Sequence, residues 1–304
     1  MAELIPMFQS LIGPDHPTTL AAINQQATAI LLAGDPNQAI DLLGDLHDRC
    51  SARLGPRHPR TLLVAVNRAV AYRDAMRLIE AIPLLEETIS LLRDTLGESH
   101  VHTLVATNHL IVAYRKAQWF PQAIELLRLI LEQTELSLGT DAAKTQEARF
   151  ELAMSLSEIG DFQEAADLLS ARDDSLSKLD AHSDERVEGL VWQGIVRRKL
   201  NQLEASDDRL REACDLCAAK ERPAWLDAWA RTSRADTLLA LKHIDHASQL
   251  LNESKLRLQD LDDPLPDRVK NLPEQIDQLM EAIVAATNPN PTDASKPERS
   301  DTDE

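Results

Sequence analysis

Two short stretches set ligand-type side chains three residues apart, Cys214-Asp215-Leu216-Cys217 and His243-Ile244-Asp245-His246. A lone CxxC does redox work beside a βαβ unit, and holds structural zinc when a second ligand pair joins it. Neither context surrounds this one. The histidine pair follows about thirty residues later, and four side chains from different helices would have to converge. Both cysteines are therefore expected to pack in a helical core. His16, His58 and His100 recur every 42 residues inside the same short turn, so repetition accounts for them and a catalytic role is not expected. Pairs such as Glu86-Glu87 and Asp173-Asp174 are read as solvated helix faces among 50 acidic residues. The chain shows no phosphate-cradling glycine loop, nucleophile elbow or HExxH stretch. The expectation is a non-catalytic protein with no cofactor and no metal.

Another polar set is defined by position. Arg73, Arg115 and Arg197 are separated by 42 and 82 residues, with Lys116 and Arg198 one place further on. Asn24 and Asn108 share a second position, and Gln25, Asn67 and His109 lie beside it. Guanidinium groups match carboxylates bidentately, so a regular row of them suits an acidic ligand. Trp192, Trp225 and Trp229 fall elsewhere and are read as packing residues, with an interface anchor as the alternative.

These side chains must be positioned by helices. The chain has 304 residues, 9 glycines and 3% aromatics, and a formal charge of −18. Ala, Leu, Glu, Gln, Asp and Arg dominate, which favours helix over sheet. The acidic balance argues against nucleic acid and anionic membrane as partners. No stretch reaches the roughly 20 apolar residues of a membrane span, and the start, MAELIPMFQSLIG, is a poor secretory signal. Three cysteines make no disulfide framework, so a cytoplasmic location is expected.

Repetition then organises the chain. LIGPDHPTTL at 11–20 returns as RLGPRHPRTL at 53–62, TLGESHVHTL at 95–104 and SLGTDAAKTQ at 137–146, so Gly13, Gly55, Gly97 and Gly139 are each 42 apart. Ala39, Ala81, Ala123, Ala165, Ala205 and Ala247 extend the period at spacings of 42, 42, 42, 40 and 42, mostly followed by a leucine pair. The apolar spacing in each unit predicts two helices, about Pro17–Ala33 and Pro36–Arg53 in the first. The recurrent glycines are expected to hold a left-handed helix-ending conformation, with Pro17 and Pro59 opening the next helix.

This pattern resembles the tetratricopeptide repeat (TPR), in the 42-residue form of kinesin light chains. The GPDHP-type turn carries the resemblance, with small residues at Ala27, Ala69, Ala153 and Ala235 and the inter-helix glycines Gly34 and Gly160. It covers about residues 13–262. Unit five departs from it, lacking the turn glycine, losing two residues and placing Asp207-Asp208 where leucines are expected; unit six opens on Pro223 without a glycine.

The resemblance implies an all-α, right-handed α-solenoid of stacked helix hairpins, in six units at approximately 13–54, 55–96, 97–138, 139–180, 181–220 and 221–262. Residues 1–12 are read as an N-terminal cap or partial repeat, 263–287 as a C-terminal capping helix, and 288–304 as a disordered acidic tail. It also implies that first helices line a groove for a protein or peptide partner. Carried over, Asn24, Asn67, Arg73, Asn108, Arg115, Lys116, Arg197 and Arg198 would line that groove and favour an acidic segment. The carboxylate clamp of chaperone-binding TPRs is not reproduced, since its positions read Asn24/Thr28 and Val66/Val70. The alternatives are a regulatory module acting with a signalling enzyme such as a protein kinase, and a self-associating structural protein.

Overall fold

The structure is a computed structural model that describes residues 4–180, 182–220, 222–259, 261 and 264–287. The expected tail at 288–304 lies outside the described residues. The chain is all α: α1 (Leu4–Ile12), α2 (Pro17–Leu32), α3 (Pro36–Leu54), α4 (Pro59–Asp74), α5 (Leu78–Leu96), α6 (Val101–Lys116) and α7 (Phe120–Leu138) come first. Next are α8 (Ala143–Ile159), α9 (Phe162–Leu179), α10 (Asp184–Lys199), α11 (Leu203–Ala219), α12 (Ala224–Ala240) and α13 (Ile244–Gln259). A 3-10 turn at Asp267–Val269 then leads into α14 (Leu272–Thr287). No strand occurs among the described residues. Two compact units result, Met1–Ile130 and Leu131–Glu304, with the boundary inside α7. Both are built from consecutive helix hairpins of the TPR type.

In unit 1, α4 packs on α3 and α5, and the first helices α2, α4 and α6 also touch in succession. Leu20, Ile23 and Ala27 of α2 meet Ala39, Leu43 and Leu46 of α3, all buried. Each fully buried leucine contributes about 1.5–3 kcal/mol. In unit 2 the core runs through α10–α13, and α14 closes on it with Leu272, Ile276 and Ile283.

The junctions between repeats explain the recurrent turn. Gly55 has φ 95° and ψ 156°, so it is not left-handed helical as expected. It occupies an extended region at positive φ that is still more restricted to glycine. Thr61 Oγ1 donates to the Gly55 carbonyl at 2.9 Å, and His58 Nδ1 accepts the Arg60 N–H at 3.1 Å. His16 and His100 cap their helices in the same way, and Thr19, Thr103 and Thr145 repeat the bond to Gly13, Gly97 and Gly139. The histidines thus serve as helix N-caps, and the threonines close the turn.

The left-handed residues lie inside the hairpins, at Gly34, Met76, Gln118, Gly160, Asn201 and Lys242. After each one, the next N–H reaches a carbonyl five residues back, as Arg77 does to Tyr72 at 2.8 Å and Gln202 to Arg197 at 2.9 Å. That bond is the signature of a Schellman ending. The six positions are spaced 42, 42, 42, 41 and 41 residues apart, so the two missing residues are lost one at a time. The small residue opening the second helix of unit five is therefore Ser206, not Ala205. Ser206 is buried and donates to the Gly194 carbonyl at 2.8 Å, and the leucine that follows is the fully buried Leu210. Gly194 has no room for a side chain, because a Cβ there would lie 2.3 Å from Leu210 Cγ.

Candidate functional site

The polar row on the first helices of unit 1 is ordered by hydrogen bonds that run from helix to helix. Asn67 Nδ2 on α4 donates to Asn24 Oδ1 on α2 at 2.9 Å. Arg73, near the end of α4, meets its neighbour Asp74 at 2.8 Å and His109 Nδ1 on α6 at 3.1 Å. Burial lowers the His109 pKa, and the Arg73 charge lowers it further, against a smaller opposing effect of Asp74. The neutral ring then accepts from Arg73, which places its own proton on Nε2. Asn108 and Lys116 are exposed on α6, and Arg115 is half-buried. Val105 and Val112, 44% and 37% exposed, flank Asn108 one turn away on either side. This face thus alternates apolar contacts with an amide and ends in a cation.

The same row does not continue through Arg197. Arg73 and Arg115 stand three residues before the left-handed residue of their hairpins, and in the fifth repeat that place belongs to Arg198. Arg197 occupies the place of Tyr72 and Tyr114, whose carbonyls accept the Schellman bond. It reaches Gln202 and Ser170 Oγ, each at 3.3 Å. Arg198 pairs with Asp236 on α12 at 2.7 Å. Burial raises the Asp236 pKa, an effect that Arg198 and then Lys199 oppose. Arg73 and Arg198 are both partnered by acids of the chain itself. The eight expected residues therefore fall into one set within unit 1, comprising Asn24, Asn67, Arg73, Asn108, Arg115 and Lys116, and a separate pair within unit 2.

Burial pushes both cysteine thiols of α11, Cys214 and Cys217, up to about 12. Thiols held protonated make poor nucleophiles and poor metal ligands. His243 and His246 are exposed, and no group of three or more potential ligands is arranged for a metal ion among the described residues. Trp229 is buried in the unit 2 core, with Trp192 and Trp225 packed partly buried against it. Trp192 and Trp229 meet edge to face, ring centroids 5.5 Å apart. Trp119 was given no role by the sequence pattern; it is 48% exposed and stacks on Tyr114 at 6.0 Å.

Unit 2 also contains a dense set of arginine–carboxylate pairs that no sequence spacing indicated. Arg186 bonds Asp173 at 2.7 Å, Arg234 bonds Asp207 at 2.8 Å and Arg231 bonds Asp227 at 2.9 Å. Each of these side chains is 14% exposed or less. Arg222, 1% exposed, donates to the carbonyls of Leu216 and His182 and pairs with Asp184. It fastens the last two junctions, where the glycine turn is missing.

Comparison with known proteins accords with this geometry. Residues 18–94 match the tetratricopeptide repeat family profile. No curated protein matches the chain. Among solved structures, a putative kinesin light chain with nearly identical TPR-like repeats from Podosopora anserina is 23% identical, with a TM-score of 0.63 over 68% of this chain and 99% of that one. BtubC (BKLC) from P. vanneervenii is 14% identical, with a TM-score of 0.61 over 76% and 94%. The quorum sensor NprR of B. thuringiensis, in its apo form, is 12% identical, with a TM-score of 0.62 over 90% and 72%. Residues 18–94 thus carry tetratricopeptide repeats, and the hairpins that continue beyond them share the fold of kinesin light chain repeat arrays.

Proposed function

We propose that the chain is a non-catalytic interaction scaffold in the cytoplasm, and that unit 1 holds a partner's peptide segment of acidic character along α2, α4 and α6. The TPR fold commonly mediates protein–protein interaction, and that supports the class. The observation that carries the site is the fixed polar row. Asn24–Asn67 and Arg73–His109 lock the first helices side to side, and Asn108 and Lys116 remain exposed beside them. Side chains already held in place lose little entropy on binding. The Asn108 amide suits a peptide backbone, Val105 and Val112 suit apolar side chains, and Lys116 suits a carboxylate.

The test compares wild type with Asn108→Ala/Lys116→Glu in affinity capture from the source cell's lysate, after circular dichroism shows both to be equally helical. The expected result is a partner retained by the wild type, lost by the variant and released by moderate salt. A partner kept by both moves the site off α6. Capture of none, together with a mass that rises with concentration, replaces this reading with self-association, for which α1 offers Met7, Leu11 and Ile12, all exposed.

A further inference from the structure

The first helices of unit 2 carry an arrangement unrelated to the polar row of unit 1. Glu188 and Trp192 lie one turn apart on α10, and Trp225 and Trp229 lie one turn apart on α12. The segment after α13 crosses these helices. Its Val269 is buried in the core, and its Arg268 pairs with the Glu188 carboxylate while the guanidinium stands 5.5 Å from the Trp225 ring centre. An aromatic face beside a carboxylate taken out of water is a receptor for a guanidinium group, through cation–π attraction and charge-assisted hydrogen bonding.

Arg268 is less enclosed than the arginines that bind helix to helix in this unit. Arg211 and Arg257 also stand half-exposed over buried carboxylates, but Arg268 lies against an aromatic ring as well. Arg186, Arg231 and Arg234 are almost wholly enclosed, whereas Arg268 is 44% exposed above a Glu188 side chain that is only 12% exposed. A cleft of about 90 Å³ opens beside the segment, lined by Trp229, Arg268, Val269 and Gln275. Arg172, the other cation that acts on Glu188, makes its hydrogen bond to the Glu185 carbonyl at 2.9 Å and stacks on Phe150, so Arg268 alone forms a direct ion pair with Glu188 among the described residues.

We propose that Glu188 and Trp225 form a binding site for an arginine side chain of a partner polypeptide, and that Arg268 is the internal occupant which that arginine displaces. The chain's charge of −18 favours such a cationic partner at long range. This site is independent of the reading given for unit 1.

The experiment uses the full chain and the capped tetrapeptide acetyl-Pro-Asp-Arg-Val-amide, which copies Pro266–Val269. Binding is followed through the tryptophan indole N–H signals, with Trp225 assigned from Trp225→Phe. Arg268→Ala is expected to bind the peptide at least ten times more tightly than the wild type, with saturable shifts at Trp225. Adding Glu188→Gln is expected to abolish that gain, and a lysine-for-arginine peptide to bind more weakly. Arg268→Lys serves if the alanine variant loses helicity, with an intermediate gain expected. Equal affinity in wild type and the Arg268 variants, or a gain that survives Glu188→Gln, overturns the proposal. The Asn108→Ala/Lys116→Glu variant is expected to bind this peptide as the wild type does, so the two sites can fail separately.

Discussion

Unit 1 and the later part of unit 2 solve one problem by different chemistry. Each repeat must end one hairpin and start the next at a fixed angle. In unit 1 a glycine at positive φ, a capping histidine and a threonine hydroxyl do this with short local bonds, as in Gly55, His58 and Thr61. The ion pairs of unit 1 are mostly local and partly exposed, such as Arg77–Glu80 and Arg93–Glu98. In the fifth and sixth repeats the glycine is gone, and buried arginines bind helix to helix instead. The difference teaches that register can be carried by backbone or by charge. It also implies different sensitivities, because a paired buried charge adds little net stability yet is damaging to orphan.

The largest effect is expected where one such pair is broken. Arg234→Met leaves Asp207 buried with only the half-exposed Arg211 as partner. It should destabilise unit 2 by about 3 kcal/mol, read as faster hydrogen exchange across α10–α13 with α2–α5 unchanged. Arg234→Met/Asp207→Leu should recover most of that loss. If the double variant is no better than the single one, the pair contributes to stability and the contrast between units is mistaken.

In unit 1 the corresponding break is in the backbone. Gly55→Ala places a side chain at φ 95°, which should cost about 1–3 kcal/mol. Thr61→Val removes a hydrogen bond and should cost about 1 kcal/mol. Urea unfolding of each variant and of the pair checks this. Since both act on one turn, their combined effect should fall short of the sum.

The same contrast explains how far the sequence could be read. Glycine, proline and threonine at the unit 1 junctions are types the turn requires, so their spacing exposed the period and the hairpins. The hairpin turns hide theirs, because Met76, Gln118, Asn201 and Lys242 hold left-handed backbone without a glycine to mark it. The alanine spacing therefore differs by one residue from the hairpin register at Ala205, and the place of Arg73 and Arg115 falls to Arg198 rather than Arg197. The Glu188–Arg268 pair spans 80 residues and follows no repeat spacing; only the folded chain brings it together.

Those hidden turns offer a gain in stability. Met76 holds φ 59° and is 61% exposed, so its side chain contributes little packing while straining the backbone. Met76→Gly should stabilise unit 1 by roughly 0.5 kcal/mol, the relief of left-handed strain less the entropy of glycine. A higher urea midpoint with an unchanged slope is the expected reading.

The smallest effect concerns pH and separates the two units by the groups that titrate. His109 is held neutral by burial and by Arg73, with Asp74 opposing. A histidine whose folded pKa is lowered gives stability that is complete above its unfolded value of about 6.5 and is lost as pH falls through that value. Unit 1 should therefore exchange faster as pH drops from about 7 to 5, after correction for intrinsic exchange. His109→Gln keeps an acceptor for Arg73 but cannot titrate, and should flatten that dependence. Among the described residues no histidine side chain joins the arginine pairs of unit 2, and its buried Asp236 has a raised pKa, which favours the folded form as pH falls, so exchange in unit 2 should not rise over the same range. A slope in unit 2 that matches unit 1, or one in unit 1 that survives His109→Gln, would place the proton elsewhere and remove the Arg73–His109 bond as its cause.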